Sequence, residues 1–169
     1  MSTLITERLK FRTWSESDVD LAMRLWGDPD VMAFISGQGG LTRAQVAARL
    51  ETEHQTLSAH GMQYWPLFER TSGEYVGCCG LRPWLHTARE ATEIGCHLIK
   101  DKWGKGYARE AAERVVAHAR ELGIPRLMAG HHPDNHNSKR ILENLGFEFL
   151  EMMFYKPTGL LHPSYVLNL

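Results

Sequence analysis

The run Leu98-Ile99-Lys100-Asp101-Lys102-Trp103-Gly104-Lys105-Gly106-Tyr107-Ala108 constrains the fold more than any other stretch. It carries a strand-like apolar end through two closely spaced glycines into the longest helical pattern of the chain. That pattern puts Ala108, Ala111, Ala112, Val115, Val116, Ala119 and Leu122 on one side, with Gly123-Ile124-Pro125 as terminator. A face of small alanines permits close packing on a sheet. The glycine turn has a chemistry of its own, because a helix start leaves backbone N–H groups unpaired and carries partial positive charge. Glycines let phosphate oxygens approach those donors without a Cβ in the way. A pyrophosphate would fit there, although two glycines alone equally describe a tight strand-to-helix turn. The Walker-type phosphate loop fails for want of a Ser or Thr after a Gly-Lys. The dinucleotide fingerprint fails for want of a third glycine.

Around this turn the hydrophobic period switches repeatedly. Leu4 to Thr13 reads as a first strand, and Ser15-Glu16-Ser17-Asp18 as a capping box before a short helix with Val19, Ala22, Leu25 and Trp26 inward, stopped by Gly27 and Pro29. Thr42 and Gln45 open a second helix with Val46, Leu50, His54 and Leu57 on one face, ended by Gly61. Tyr64 to Glu69, Tyr75 to Leu81 and Ala91 to Ile99 read as an antiparallel meander. After the long helix come a short strand from Arg126 to Gly130 and a short helix from Ser138 to Leu145. Phe147 to Tyr155 and Leu160 to Leu169 are read as a last strand pair. The order βαα, βββ, α, β, α, ββ predicts an α/β (α+β) domain with one central mixed sheet.

The chain has 169 residues, 43% of them hydrophobic and 23% charged, enough for one domain with a sizeable core, and no repeat or linker divides it. Nineteen basic against twenty acidic residues leave a net charge of −1, so no global field favours nucleic acid or an anionic membrane. No apolar run reaches the roughly 18 residues of a spanning helix, and the start lacks a signal-like segment. Cys78 and Cys79 are adjacent and poorly placed to bond each other, Cys96 is left over, and no CxxC pair occurs. A reducing, cytoplasmic setting is expected.

Trp103-Gly104-Lys105-Gly106-Tyr107-Ala108 resembles the acyl-CoA loop (Q/R)-x-x-G-x-(G/A) of the GNAT acyltransferases, with Trp for the usual Gln or Arg. That departure is familiar in the RimJ/RimL-like N-acetyltransferases. Further matches to that branch follow in order: Thr6-Glu7-Arg8-Leu9-Lys10-Phe11-Arg12, Asp28-Pro29-Asp30-Val31-Met32, Gly77-Cys78-Cys79-Gly80-Leu81, Glu93-Ile94-Gly95, Asn135-His136-Asn137-Ser138 and Leu145-Gly146-Phe147. Independent short matches in one order and spacing reinforce one another. The resemblance implies a single N-acetyltransferase domain over residues 1–169, with a mixed, mostly antiparallel sheet flanked by helices. It implies transfer of an acetyl group from acetyl-CoA to a primary amine by direct attack in a ternary complex. The acceptor is a peptide N-terminus or a small molecule, and no metal is called for.

The same resemblance assigns roles. Backbone N–H groups from Gly104 through Lys105, Gly106, Tyr107 and Ala108 to Arg109, beside Trp103, would hold the diphosphate. The fourth strand, Glu93 to Ile99, would splay from the fifth, with His97 and Leu98 nearest the acetyl group. Asn135 would bond the pantetheine, and Ser138 would protonate the departing thiolate. Helix capping competes for both Asn135 and Ser138. Glu93 is the first candidate for the base that frees the amine, a surface carboxylate or substrate contact being its other readings, and His97 is the second candidate. Cys96-His97 stand where a Tyr-Trp pair is common. Phe34 and Trp65 fall on substrate-facing segments, while Trp14, Trp26 and Trp84 read as core.

Other chemistries weigh less. His131-His132-Pro133-Asp134-Asn135-His136 has metal-ligand residue types, but Pro133 breaks helical regularity within it, and the run is the loop that leads into Asn135. Cys79 or Cys96 as an acyl-accepting nucleophile competes with a plain buried role. A non-catalytic acyl-CoA-binding or regulatory module shares the fold. Two copies pairing through the last strands is an expectation of the same kind.

Overall fold

A computed structural model describes residues 4–84 and 91–169. Seven strands form one sheet: β1 Leu9–Phe11, β2 Tyr64–Glu69, β3 Tyr75–Pro83, β4 Thr92–Leu98, β5 Arg126–Gly130, β6 Glu148–Tyr155 and β7 Leu160–Asn168, in the order β1-β2-β3-β4-β5-β7-β6. Among the described residues, only the β4–β5 pair is parallel. The helices are α1 Val19–Trp26, α2 Pro29–Met32, α3 Arg43–His60, α4 Tyr107–Glu121 and α5 His136–Asn144. The mixed, mostly antiparallel sheet expected from the sequence is present. Among the described residues no helix is long and apolar enough to cross a membrane.

Strand alternation divides the apolar residues between two cores. On one face Leu67, Leu81, Ile94, Leu127 and Leu167 meet the alanine-valine stripe of α4, where Ala111, Val115 and Ala119 are fully buried, and Leu142 of α5. On the other, Tyr64, Tyr75 and Cys78 pack under Ala22, Leu25 and Trp26 of α1 and Val46 and Leu50 of α3.

Three local expectations change. The first strand is shorter because residues 4–11 turn back on themselves, with Phe11 N–H bonded to Leu4 O and Ile5 bridging Lys10. The turn is held by the Glu110 carboxylate of α4, which accepts from the Thr6 hydroxyl and from Arg8 N–H. Asp28-Pro29 starts a helical turn instead of merely ending one, since Asp28 Oδ1 accepts from Asp30 N–H at 2.8 Å and Pro29 fits the first helical position. The later short helix begins at His136, two residues ahead of expectation, because Asn135 is its cap.

Cys96 also has a partner after all. The bonds Ile99 N–H→Val76 O and Trp84 N–H→Ala91 O make the even-numbered residues of β3 the hydrogen-bonded pairs with β4. The Cys79–Cys96 pair is therefore a narrow one, with Cα atoms ~4.5 Å apart, within disulfide reach. Burial, and then the hydrogen bond between the two thiols, holds Cys79 well above the ordinary thiol range, which keeps it protonated and argues against a nucleophilic role. Diamide treatment of the folded protein is expected to link Cys79 to Cys96, seen as a joined peptide pair by non-reducing mass spectrometry. A Cys78–Cys96 link would mean a register one residue off, with both faces of β3 exchanged.

Candidate active site

The site begins where the sheet fails to close. The parallel ladder between β4 and β5 consists, among the described residues, of Thr92↔Leu127 and Glu93↔Met128. Beyond it, Ala129 and Gly130 pair with Tyr165 and Ser164 of β7, and β4 runs on to Leu98 paired only with β3. A wedge opens between the two strands. By the alternation fixed above, the backbone groups of Glu93, Gly95 and His97 are committed to β3, and those of Cys96 and Leu98 turn toward the wedge. This corrects the expectation for His97: the gap-facing groups at this level belong to its neighbours. A bulge in β3, where Val76 is extra between Gly77 and Tyr75, lies opposite the departing end of β4. Bulges bend and over-twist a strand, which carries this end away from β5.

At the end of the wedge comes the glycine turn. Lys100–Lys102 make one 3-10 turn, and Gly104 and Gly106 adopt φ +71° and +79°, a region that L side chains rarely enter. Gly106 caps α4, whose first backbone bond runs from Glu110 N–H to Gly106 O. The N–H groups of residues 104–109 meet no acceptor among the described residues. Side chains strap the turn in place. Arg8 donates to Lys105 O at 2.8 Å and to Glu110 at 2.6 Å, and lies 4.5 Å over the Tyr107 ring. Tyr107 hydroxyl and Lys102 Nζ both donate to Glu69 at 2.8 Å, and hydrogen bonds from Lys102, Ser72 and Tyr107 hold the Glu69 carboxyl down to about 2. Trp103, half-exposed, donates its indole N–H to Leu98 O at 2.9 Å. Ala108 packs on the core, Arg109 pairs with Glu113, and Lys105 has no side-chain partner among the described residues.

On the far side of the wedge, Asn135 follows the loop after β5. Its Oδ1 accepts from Ser138 N–H at 3.1 Å, so the capping reading is realised. Its side-chain NH2 and the half-buried Ser138 hydroxyl have no partner among the described residues.

The open face of the wedge is lined from β4 by Glu93, Gly95 and His97. Glu93 is held by Arg82, from Nε at 3.0 Å and Nη2 at 3.1 Å, and by the Tyr64 hydroxyl at 3.1 Å. Three donors on two oxygens make it a structural anchor, which weighs against its role as first candidate base. Gly95 explains the arrangement: a Cβ there would stand 2.2 Å from the Tyr64 hydroxyl oxygen, so only glycine lets the phenol lie across β4. His97 Nδ1 accepts from the Trp26 indole at 3.1 Å, and burial with the nearby charges of Arg49 and Arg82 pushes its pKa down to about 3. That ring stays neutral and its acceptor nitrogen is occupied, which removes the second candidate base.

Trp65 is corrected as well. It is 1% exposed and packs against His118 under α4, while alternation sends Tyr64, itself 1% exposed, to the opposite face of the sheet, where its hydroxyl reaches Glu93. Phe34 does reach the mouth, 38% exposed and 5.2 Å from the His132 ring. Sequence reasoning missed Tyr64, Arg82, Tyr155 and His162, and weighed His132 only as a metal ligand. The period-two rule applied from Trp65 would have found Tyr64. Among the described residues no group of three His, Cys, Asp or Glu stands ready for a metal ion.

Comparison with known proteins agrees with this geometry. The model of the acetyltransferase (GNAT) domain matches residues 8–148. The uncharacterized N-acetyltransferase p20 of Bacillus licheniformis is 28% identical over 173 residues, spanning 100% of this chain and 96% of p20. Among solved structures, a putative GnaT-family acetyltransferase from Bordetella pertussis superposes with a TM-score of 0.82 at 22% identity, covering 98% and 99% of the two chains. RimL, a ribosomal L7/L12 alpha-N-protein acetyltransferase solved with coenzyme A, gives 0.81 at 15% identity over 99% and 98%. yncA of Salmonella typhimurium, a putative acetyltransferase solved with acetyl-CoA, gives 0.71 at 20% over 95% and 93%. With the splayed strands, the glycine turn and a family match over most of its length, the chain belongs to the GNAT acetyltransferases.

Proposed function

We propose that the protein is an acetyl-CoA-dependent N-acetyltransferase that acetylates a primary amine by direct attack within a ternary complex. The observation that carries this reading is the junction of an unzipped β4 edge with the acceptor-free N–H groups of residues 104–109. Acetyl-CoA, when bound, supplies an activated carbonyl and a thiol leaving group of pKa ~8.5.

The residues fit such a ligand. N–H groups from Gly104 to Arg109, at the positive end of α4, hold the diphosphate, with Lys105 adding a free charge. The gap-facing groups of Cys96 and Leu98 hold the amide arm and the carbonyl, Asn135 donates from across the wedge, and Ser138 delivers a proton to the departing sulfur. Glu93 fixes Tyr64 and Arg82 as one wall of the acceptor mouth, with Phe34 at its rim. The name of the RimL neighbour supports a protein N-terminus as acceptor, and a small amine is the second reading. Three free thiols fit work in the cytoplasm.

Gly106→Ala forces a β-carbon into the left-handed region at a cost of about 1–2 kcal/mol, and the turn escapes by rotating its N–H groups. Calorimetry with coenzyme A is expected to show binding roughly tenfold weaker, with the circular dichroism spectrum retained; unchanged affinity would remove the turn from the site. In a thiol-release assay over a panel of peptides and small amines, Ser138→Ala is expected to lower kcat by about tenfold or more at an unchanged KM for acetyl-CoA.

The expected pairing of two copies rests on β6, an edge strand. There Phe149, Phe154 and, on β7, Leu161 are 57%, 66% and 55% exposed, a surface and a free ladder that a second β6 would cover together. Light scattering is expected to give a dimer mass for the protein and a monomer mass for Phe154→Glu.

A further inference from the structure

The reaction proposed above needs a neutral lone pair to take the amine's proton, and this inference rests on that reading. Glu93 already accepts three hydrogen bonds, from Arg82 and Tyr64, and His97 Nδ1 accepts from Trp26. A third group on the same face has a ring nitrogen that meets no donor among the described residues. Extending the Gly130↔Ser164 register by two residues sets His132 opposite His162, and the two rings lie 5.4 Å apart. His162 is 8% exposed at the open end of the wedge. The Tyr155 ring of β6 stacks on it at 4.7 Å, and Phe34 closes the far side of His132.

One hydroxyl bears on its tautomer. Thr158 Oγ1 lies 3.3 Å from Tyr155 O and 2.8 Å from His162 Nε2, and its single proton serves one of them. With that proton turned to Tyr155 O, the hydroxyl accepts from Nε2–H and Nδ1 keeps a lone pair that meets no donor among the described residues. Two residues along the same face, the Ser164 hydroxyl, 2% exposed, also lacks a partner. A buried hydroxyl without a partner is destabilising, and an amine N–H would satisfy it.

We propose that His162 is the general base of the transfer and that Ser164 helps seat the acceptor amine. As the nitrogen attacks, the C–N bond forms, the C–S bond breaks with its electron pair leaving on sulfur, and Nδ1 takes the amine proton. Ser138 or solvent supplies the proton that restores the thiol, and the imidazolium returns its own to solvent.

The charged and titratable groups facing His162 are His132 and His131 from the loop after β5 and Tyr155 from β6, with Arg82, Glu93 and Arg49 acting on Tyr155 from behind. Burial first, then His132 and His131, lowers the His162 pKa below the ordinary 6.5, so the ring is neutral at pH 7 and its protonated form appears only in more acid solution.

The test is the pH profile of kcat/KM for an accepted amine at saturating acetyl-CoA, in the unaltered protein and in His162→Gln. The unaltered protein is expected to lose rate on the acid side with a midpoint below the ordinary imidazole value of ~6.5, the direction for a base that must be unprotonated. His162→Gln is expected to lower kcat by about a hundredfold or more, to abolish that acid limb, and to leave the Kd for coenzyme A unchanged. A variant within twofold of the unaltered rate, or one that keeps the limb, overturns the proposal. Should the variant fold poorly, 15N NMR of the unaltered protein decides: His162 must be Nε2-protonated at pH 7 and titrate with the acid limb, and any other tautomer or midpoint overturns it. Failure of the unaltered protein to acetylate any amine would instead overturn the transferase reading itself.

Discussion

The parting of one parallel strand pair organises the rest of the molecule. A β-strand edge carries donors and acceptors that normally meet a neighbour, and β4 meets β5 for two residues before running on alone to Leu98. Everything needed to hold an extended, amide-bearing ligand lies along that unpaired edge, with the start of α4 at its far end. The two halves of the sheet stay together because β5 is paired along its whole length to β7, while β3 is paired to β4 up to the bulge at Val76 and Gly77. The opening therefore removes strand–strand bonds at one level only.

Holding the turn open is a separate task, and charge performs it. The turn's own backbone must stay free for a ligand, so its position comes from side chains that approach from behind. Arg8 and Glu110 fasten it to the doubled-back N-terminal segment, and Glu69 gathers Lys102 and Tyr107. These contacts leave the N–H groups of residues 104–109 untouched. Preorganised donors of this kind need no reorganisation when an anion arrives.

The features legible in the sequence were those written in short local patterns. Glycines 104 and 106, the alanine stripe of α4 and the succession of elements along the chain each follow from spacing alone. What escaped was set by register. Whether Tyr64 or Trp65 faces the mouth is a matter of one residue on a strand buried on both faces, where both neighbours are equally apolar and the period gives no preference. Asp28-Pro29 carries the same residues whether a helix stops or starts there. His162 lies 24 residues beyond Ser138 in sequence, with only turn and strand signals around it, and it enters the site because β7 inserts between β5 and β6.

Trp103 shows how a departure from a motif becomes intelligible once its atoms have partners. Gln or Arg at the first position of the loop brings a side-chain donor, and the indole brings one as well. It is spent on Leu98 O, the last carbonyl of β4. That bond ties the end of the strand to the beginning of the turn, so the two ligand-holding segments are set at a fixed separation by a single planar side chain. That carbonyl keeps a second lone pair, so the gap-facing groups at the level of Leu98 are its N–H and one remaining acceptor site. The substitution engages one backbone acceptor while preserving the edge itself, and the Leu98–Trp103 contact beside the open wedge is its physical form.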